Sequence, residues 1–423
     1  MSDPRSSASS SDVLVLGAGV VGLACAWYLL QAGRSVVVVD RGRAGGGASH
    51  GNCGTLTPSH AAPLAMPGMV AKALRWMLRK DAPFRVAPRF DPELFGWMLR
   101  FAQRCNWADF ASSNRAKAAI LTQSRALIAG LVRDQRFDCD YAEHGTLYAF
   151  RDAAALDAFD WHARSLRDVG IDVVAKTGDE LRAMEPCLRD EIVGGVFHPG
   201  DAQVRPDRYV AELARIVREA GGVIVEDCAV EGFAVESGRV AAVRTSRGEF
   251  RGRDVVFALG AWSPALARQL DLRIPVQPGK GYSITYTRPA LCPRTPIVCK
   301  EASVCVTAWA DGFRLGSTME FAGYDTRLNR VRLDALKRGA ALYLREPEGG
   351  EVREEWYGWR PMTYDDLPIL GRAARLDNLV LATGHGMLGV SMSAATGQHV
   401  AALVCGAETA LDPAPYSPAR FRL

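Results

Sequence analysis

The sequence predicts an α/β chain, and three observations carry the prediction. Its 423 residues amount to two or three domains at about 150 residues each. A glycine-rich turn joins a buried strand to a helix near each end of the chain. Between those turns lie short strands broken by Glu-Ser-Gly, Arg-Gly and Asp-Gly turns. Apolar residues at 48% and charged residues at 23% are those of a soluble globular protein. Lys plus Arg number 51 against 47 Asp plus Glu, and a net charge of only +4 argues against a nucleic-acid partner. The 10 cysteines form no CxxC pair and no paired-His spacing accompanies them, so neither a metal site nor a redox dithiol is expected. Free thiols at this density fit a reducing compartment, and the expected location is cytoplasmic.

Residues 1–11, rich in Ser, read as a disordered tail. Val13 to Leu30 is uncharged and mostly apolar, near the lower length limit of a membrane span. Its flanks argue otherwise, because Arg5 stands beside Asp3 and Asp12 and no small-residue cleavage site follows. Val13–Leu16 reads instead as a buried strand, and Gly17-Ala18-Gly19-Val20-Val21-Gly22 as the turn into a helix running to about Gln31. Ser35 to Val39 is a second buried strand, ended by Asp40. In this βαβ setting the glycine pattern is a dinucleotide fingerprint. Gly17 permits the tight turn, Gly19 lets backbone approach a pyrophosphate, and Gly22 lets the helix pack on the strand. The phosphates would sit at the helix amino terminus. Asp40 would accept hydrogen bonds from ribose hydroxyls, which argues against a 2′-phosphate and hence against NADP.

That unit alone does not choose between FAD and NAD. The segment after Asp40, Arg41 through Gly54, is a long glycine-rich loop carrying Ala48, Ser49, His50, Asn52 and Cys53. A flavoprotein needs such a loop, since its chain must continue past the pyrophosphate toward the isoalloxazine ring. These residues resemble the amino-terminal signature of the FAD-dependent D-amino acid dehydrogenases, which belong to the wider D-amino acid oxidase and glycine oxidase superfamily. Three later segments carry the same resemblance in family order. Leu259-Gly260-Ala261-Trp262-Ser263, after a strand over Arg253 to Ala258, resembles the family's second FAD contact, and Val230 stands where the family's backbone meets the adenine. Pro278 to Ser283 resembles the KGYS strand that enters the substrate domain. Gly358-Trp359-Arg360-Pro361-Met362 and Thr383-Gly384-His385-Gly386-Met387-Leu388-Gly389 resemble the GxRP and TGHGxxG segments. The latter places the amino terminus of a helix, Ser391 to Val404, near the flavin O2.

The resemblance implies a discontinuous, Rossmann-like FAD-binding domain over 11–60, 202–274 and 356–423. It also implies an α+β substrate domain with an antiparallel sheet over 61–201 and 275–355, and a non-covalent FAD. The implied reaction is dehydrogenation of a free D-amino or D-imino acid, with hydride transfer from Cα to flavin N5. Such chemistry needs a cation for the substrate carboxylate and groups that favour a neutral amine. Arg360 is the candidate anchor, because a guanidinium fork matches a carboxylate bidentately. Tyr282 is expected to donate its hydroxyl to the same carboxylate, and Lys280 to raise the local positive potential. His50 and His385 are candidates to touch the flavin or the substrate amine, since His moves protons near neutral pH.

Residues 47–68 and the following Ala73 to Arg79 resemble hydroxyproline-pathway members. The expected substrate is therefore cis-4-hydroxy-D-proline or D-proline, oxidised to a pyrroline carboxylate. A D-alanine-like substrate, giving a keto acid and ammonia, is the alternative within the family. An oxygen-using glycine or sarcosine oxidase and a non-catalytic FAD-binding scaffold subunit are the rival readings. The expected electron acceptor is a quinone or another electron-transfer chain component. Val70, Ala73, Leu74, Met77 and Leu78 form an apolar helical face, with Lys72, Arg75, Arg79 and Lys80 largely off it. Leu94, Trp97, Met98, Phe101 and Cys105 repeat the spacing. Packing into the substrate domain is the expected fate of both faces, and peripheral contact with an anionic membrane is the alternative.

Overall fold

Val13, Leu14, Val15 and Leu16 are all fully buried because the strand that carries them, Ser9–Leu16, has parallel partners on both sides, Val36–Val39 and Gly248–Phe257. Val13 and Val15 enter the core shared with Leu23 and Val400, while Leu14 and Leu16 enter that of Phe233, Phe257 and Leu270. Burial on both faces explains an apolar run without alternation. The computed structural model describes residues 9–77 and 82–423, and among these no helix is long and apolar enough to cross a membrane. The first strand begins at Ser9, so the end of the expected tail is strand; residues 1–8 lie outside the described residues.

This first sheet has eight strands. Val223–Val225 extends it in parallel beyond Val36–Val39, and Leu376–Thr383 pairs in parallel with Gly248–Phe257. Arg239–Thr245 and Val230–Glu236 add an antiparallel flap, and Ile369–Ala373 closes on Leu376–Thr383. Helices Val20–Gln31 and Gly389–Cys405 pack against each other at Gly397, where a β-carbon would lie 2.6 Å from the Ala24 carbonyl oxygen.

The second sheet has nine strands, mostly antiparallel. Val352–Thr363 stands at its edge, followed by Val276–Tyr286, Phe313–Phe321, Val304–Ala308, Ile297–Cys299, Thr146–Phe150, Gly194–His198 and Val174–Thr177, and Phe84–Val86 pairs with Phe313–Phe321 as the ninth. The Asp-Gly turn at Asp311-Gly312 closes a hairpin between Val304–Ala308 and Phe313–Phe321, with the Trp309 amide donating to the Gly312 carbonyl. One expected boundary shifts. Residue 356 falls inside Val352–Thr363, which pairs with Val276–Tyr286 along its length, so the chain leaves the second sheet only after Thr363.

The two amphipathic segments part company. Helix Pro92–Arg104 buries Leu94 and Trp97 against Phe321 and Met362. Helix Met69–Met77 buries no residue, and Leu74 and Met77 remain 60% and 52% exposed. The expected packing therefore fails for the first helix; Leu78, Arg79 and Lys80 lie outside the described residues.

Candidate active site

Residues from both sheets line one cavity of about 1300 Å³. That exceeds the roughly 300–1,000 Å³ of a drug-sized ligand's pocket. At one end is the first glycine turn. Gly17 has φ +105°, and a β-carbon on it would lie 2.5 Å from the Ala258 carbonyl oxygen. A β-carbon on Gly22 would collide with the Gly17 carbonyl, so the turn can close only with glycine. Gly19, Val20 and Val21 face the cavity. Helix Val20–Gln31 has no side-chain cap at Gly19 and no acid in its first turn, leaving its amino-terminal dipole for an anion. Asp40 accepts from the Ala18 amide at 2.7 Å and from the Gly42 amide at 2.9 Å, which fixes its carboxylate on the cavity wall. The Arg41 guanidinium lies 3.8 Å above the Trp262 ring, and Val230 and Gly260 complete this end.

The loop after Asp40 folds back over the helix. Ser49 Oγ accepts from the Val20 amide at 3.2 Å, and Asn52 Oδ1 from the Gly54 amide at 2.6 Å. Arg314, from the second sheet, donates to the carbonyls of His50 at 3.2 Å and Asn52 at 2.8 Å. Nothing near Arg314 in sequence marks this role. Ala48, Ser49, Asn52 and Cys53 line the cavity; Ala18, Gly22, Gly54 and Gly384 shape the backbone behind it. Asp366 lies beside the carboxyl-terminal turn at Gly386, and its Oδ2 accepts from Lys117 at 2.6 Å and from the Leu64 amide at 3.0 Å. Gly386, Met387 and Leu388 face the cavity ahead of helix Gly389–Cys405, which again has no side-chain cap and no acid in its first turn. Two helix ends without an acid in the first turn on one cavity, with a carboxylate between strand and loop, fit a flavin dinucleotide.

Arg360 is half-buried on the wall of this cavity. It donates through Nη1 to the Thr318 carbonyl at 2.6 Å, and among the described residues no carboxylate pairs with it. Its guanidinium fills the space a β-carbon on Gly281 would take. Burial lowers its pKa, and the Cys53 thiol nearby favours its charge.

Tyr282 borders the same cavity, but its hydroxyl and the Lys280 amine do not join Arg360. In the strand register Gly279 faces Arg360, Gly281 faces Gly358, and Lys280 and Tyr282 face Trp359 and Tyr357. Alternation therefore puts their side chains on the other sheet face. There the Tyr282 hydroxyl donates to Glu320 at 2.6 Å and Lys280 Nζ donates to the Arg327 carbonyl at 2.5 Å. Neither polar tip is left for a substrate. His50 is also corrected: its ring turns to Glu354 at 2.8 Å, which raises its pKa, and the ring does not line the cavity. His385 does line it, with Nε2 3.0 Å from Thr396 Oγ1. Burial pushes it down to about 3, so it is a neutral neighbour and no proton carrier near neutral pH.

The sequence reading missed three further cavity residues. Tyr148 shares a hydrogen bond with His60 Nδ1 at 3.1 Å, and Lys300 Nζ lies 4.5 Å from the Tyr148 ring centre. They come from strands and a turn far apart in sequence, and no local pattern marks them. Among the described residues no group of three His, Cys, Asp or Glu could hold a metal ion.

A glycine-turned strand–helix unit, a second helix end without an acid in its first turn and an anchoring arginine on one cavity define a flavoprotein oxidoreductase. Comparison with known proteins gives the family. Residues 12–403 match the model described as FAD dependent oxidoreductase. The chain is 34% identical over 416 residues to a D-amino acid dehydrogenase of Agrobacterium fabrum, covering 97% of this chain and 99% of that one. It is 36% identical over 410 residues to one of Paramagnetospirillum magneticum, covering 95% and 96%. The crystal structure of glycine oxidase from Geobacillus kaustophilus superposes with a TM-score of 0.78 at 26% identity, covering 96% of this chain and 98% of that one. The chain belongs to the FAD-dependent oxidoreductase family and, within it, groups with the D-amino acid dehydrogenases. It is an oxidoreductase with FAD as its cofactor.

Proposed function

We propose that the chain is a dehydrogenase of free D-amino or D-imino acids, with cis-4-hydroxy-D-proline or D-proline as its best substrate. In this reading FAD is held non-covalently by residues 11–60, 202–274 and those after Thr363, and the second sheet carries the substrate. The observation that supports it most is Arg360, a half-buried guanidinium on the cavity wall with no anionic partner among the described residues. Bound FAD supplies the two-electron acceptor for the substrate Cα–H. The protein's own residues hold and orient. Arg360 receives the α-carboxylate on the donors it does not spend on Thr318, which fixes the direction of the Cα–H bond. Arg360 and Lys300 are cations on one cavity, and their field favours the neutral amine over the ammonium. His60 and His385, each pushed to about 3 by burial, stay neutral and leave the amine's proton to solvent. A cyclic secondary amine then yields a pyrroline carboxylate.

The acceptor that reoxidises the enzyme is proposed to be a quinone or chain component. Met69–Met77 supports this, because Val70, Leu74 and Met77 both line the cavity and face solvent. An apolar face at a cavity mouth, beside Lys72 and Arg75, suits peripheral contact with an anionic membrane from the cytoplasmic side. Anaerobic bleaching of the flavin by a panel of D- and L-proline, cis-4-hydroxy-D-proline, D-alanine, D-arginine, glycine and sarcosine tests the substrate reading. Fastest bleaching by the cyclic D-compounds is expected. Faster bleaching by D-alanine or D-arginine discards the cyclic substrate. Hydrogen peroxide formed at the rate of turnover under air discards the quinone.

A further inference from the structure

Two thiols that no CxxC spacing announces meet on the wall of the cavity. Cys53 comes from the loop after Asp40, and Cys305 from strand Val304–Ala308 of the second sheet. Across that sheet Ser283, Gly316 and Cys305 stand level, Gly316 being the register partner of both others. Residues directly opposite in an antiparallel pair point to one face, with β-carbons about 4.5–5.5 Å apart. The middle position carries no side chain, and a β-carbon there would collide with Cys53 Sγ. The loop therefore lowers its sulfur into the gap at Gly316, between the side chains of Ser283 and Cys305. Both thiols are half-buried and line the cavity, and no other cysteine among the described residues lines it.

The surroundings make Cys53 the nucleophile of the pair. Contact between the two thiols pulls its pKa down and pushes that of Cys305 up, and the charges of Arg314 and Arg360 lower Cys53 further against its burial. Ser283 is 1% exposed and its Oγ has no partner among the described residues, which leaves a hydroxyl donor for a sulfur anion in the same gap. A thiolate favoured by cations and open to a cavity is the reactive form of cysteine. Burial instead raises the half-buried thiols of Cys105 and Cys292.

We propose that Cys53 and Cys305 form a modification site for low-molecular-weight disulfides, at which the two thiols become a bond that locks the cofactor loop to the second sheet. Cys53 attacks one sulfur of the incoming disulfide RSSR. Its S–S bond breaks, and RS⁻ leaves with the electron pair and takes up the Cys53 proton as RSH. Cys305 then attacks the Cys53 sulfur of the mixed disulfide, and its proton leaves with the second RSH. Two protein thiols are oxidised and one RSSR is reduced to two RSH. The loop so tied is the one whose Ser49 accepts from the Val20 amide and whose His50 and Asn52 carbonyls accept from Arg314. Retention of FAD by the locked loop rests on the reading of that loop as part of a non-covalent FAD site; the bond itself does not.

The test treats the holoenzyme with bis(2-hydroxyethyl) disulfide, blocks the remaining thiols and maps the digested peptides by mass. The peptides of Cys53 and Cys305 should be found linked, and dithiothreitol should separate them. Treated protein without that linked pair overturns the proposal, whatever other thiols react. Cys305→Ser should stop at the mixed disulfide on Cys53, whereas Cys53→Ser should carry none on Cys305. The reverse pattern overturns the assignment of Cys53 as nucleophile. The lock is read separately, from the rise in FAD fluorescence as the cofactor leaves the protein in mild urea. Release should be at least about tenfold slower from the linked protein than from the reduced one. Dithiothreitol should restore the faster rate, and Cys305→Ser should release FAD equally fast with and without the treatment. Equal rates from linked and reduced parent overturn the lock, and with it the reading of the loop as the part that opens to release FAD.

Discussion

Replacing Arg360 should damage catalysis far more than the fold. The guanidinium spends one donor on the Thr318 carbonyl at 2.6 Å and has no carboxylate partner among the described residues, so its other edge is free for substrate. Two charge-assisted hydrogen bonds at about 1.5–3 kcal/mol each make a carboxylate clamp worth about 3–6 kcal/mol. At 1.4 kcal/mol per factor of ten, Arg360→Gln should lower kcat/KM by about a hundred- to twenty-thousandfold. Arg360→Lys keeps the charge and loses the fork, and should fall between, about ten- to a hundredfold below the parent. The free protein should respond in the opposite sense. Removing a half-buried cation that has no anion among the described residues relieves part of a desolvation cost, against about 1 kcal/mol for the donor lost to Thr318. The melting temperature of Arg360→Gln should therefore not fall. The assay is anaerobic stopped-flow bleaching of the flavin over a range of substrate concentrations, with the FAD-to-protein ratio measured on each sample. An Arg360→Gln protein within about threefold of the parent, or one whose lost activity merely tracks lost FAD, refutes the reasoning.

Gly281→Ala should reproduce a milder version of the same defect, because its β-carbon would occupy the guanidinium's place. With about 1–3 kcal/mol of overpacking to relieve, KM should rise about tenfold at normal FAD content, and an unmoved KM contradicts the placement of Arg360. Gly22→Ala acts at the other end of the cavity. Its β-carbon would meet the Gly17 carbonyl, so purified protein should carry much less FAD, and normal occupancy by absorbance would overturn the account of the turn. Asp201, fully buried, is pushed up to about 7 by burial from an ordinary 3.8. The native state then keeps a proton that the unfolded chain gives up, so stability should decline as pH rises from about 4 to 7 and not beyond. Asp201→Asn removes that titration, and urea midpoints at about pH 5 and 8 should lie closer together than in the parent. An unchanged difference between them would mean that Asp201 is ionised in the native state.

What the sequence disclosed was whatever is local in sequence. The first glycine turn, Asp40 and the loop to Gly54 lie within one βαβ unit, and the structure joins them by hydrogen bonds that the Ala18 and Val20 amides donate to Asp40 and Ser49. The Val13 to Leu30 run was readable for the same reason, since its glycines betray a strand-to-helix turn and its apolar character follows from burial on both faces. Arg314, Lys300, Tyr148 and His60 were not readable, because each is an ordinary residue until the second sheet brings distant strands together. Helix Met69–Met77 shows a different limit. Its amphipathic spacing is the same as that of a helix which buries its apolar face, and the sequence carries no record of what, if anything, lies opposite.

The Pro278 to Ser283 strand shows most sharply how a motif can be seen and misjudged. Its reactive-looking residues, Lys280 and Tyr282, drew attention because an amine and a phenol can hold a carboxylate. Strand alternation makes them a pair on one face, and that face meets Glu320 and Arg327. The residue that serves the cavity stands between them. Gly281 contributes no side chain, and that vacancy is where the guanidinium of Arg360 lies after crossing from the neighbouring strand. A single-residue shift of register would turn the Lys280 amine and the Tyr282 hydroxyl to the face that Arg360 holds and expel the guanidinium. The eleven-residue strand prevents it, because its pairing with Val352–Thr363 runs from Val276 to Tyr286 and buries Tyr282, Ile284 and Tyr286 together on the far side. The apolar packing of one sheet face thus decides which charge the other face presents to the substrate.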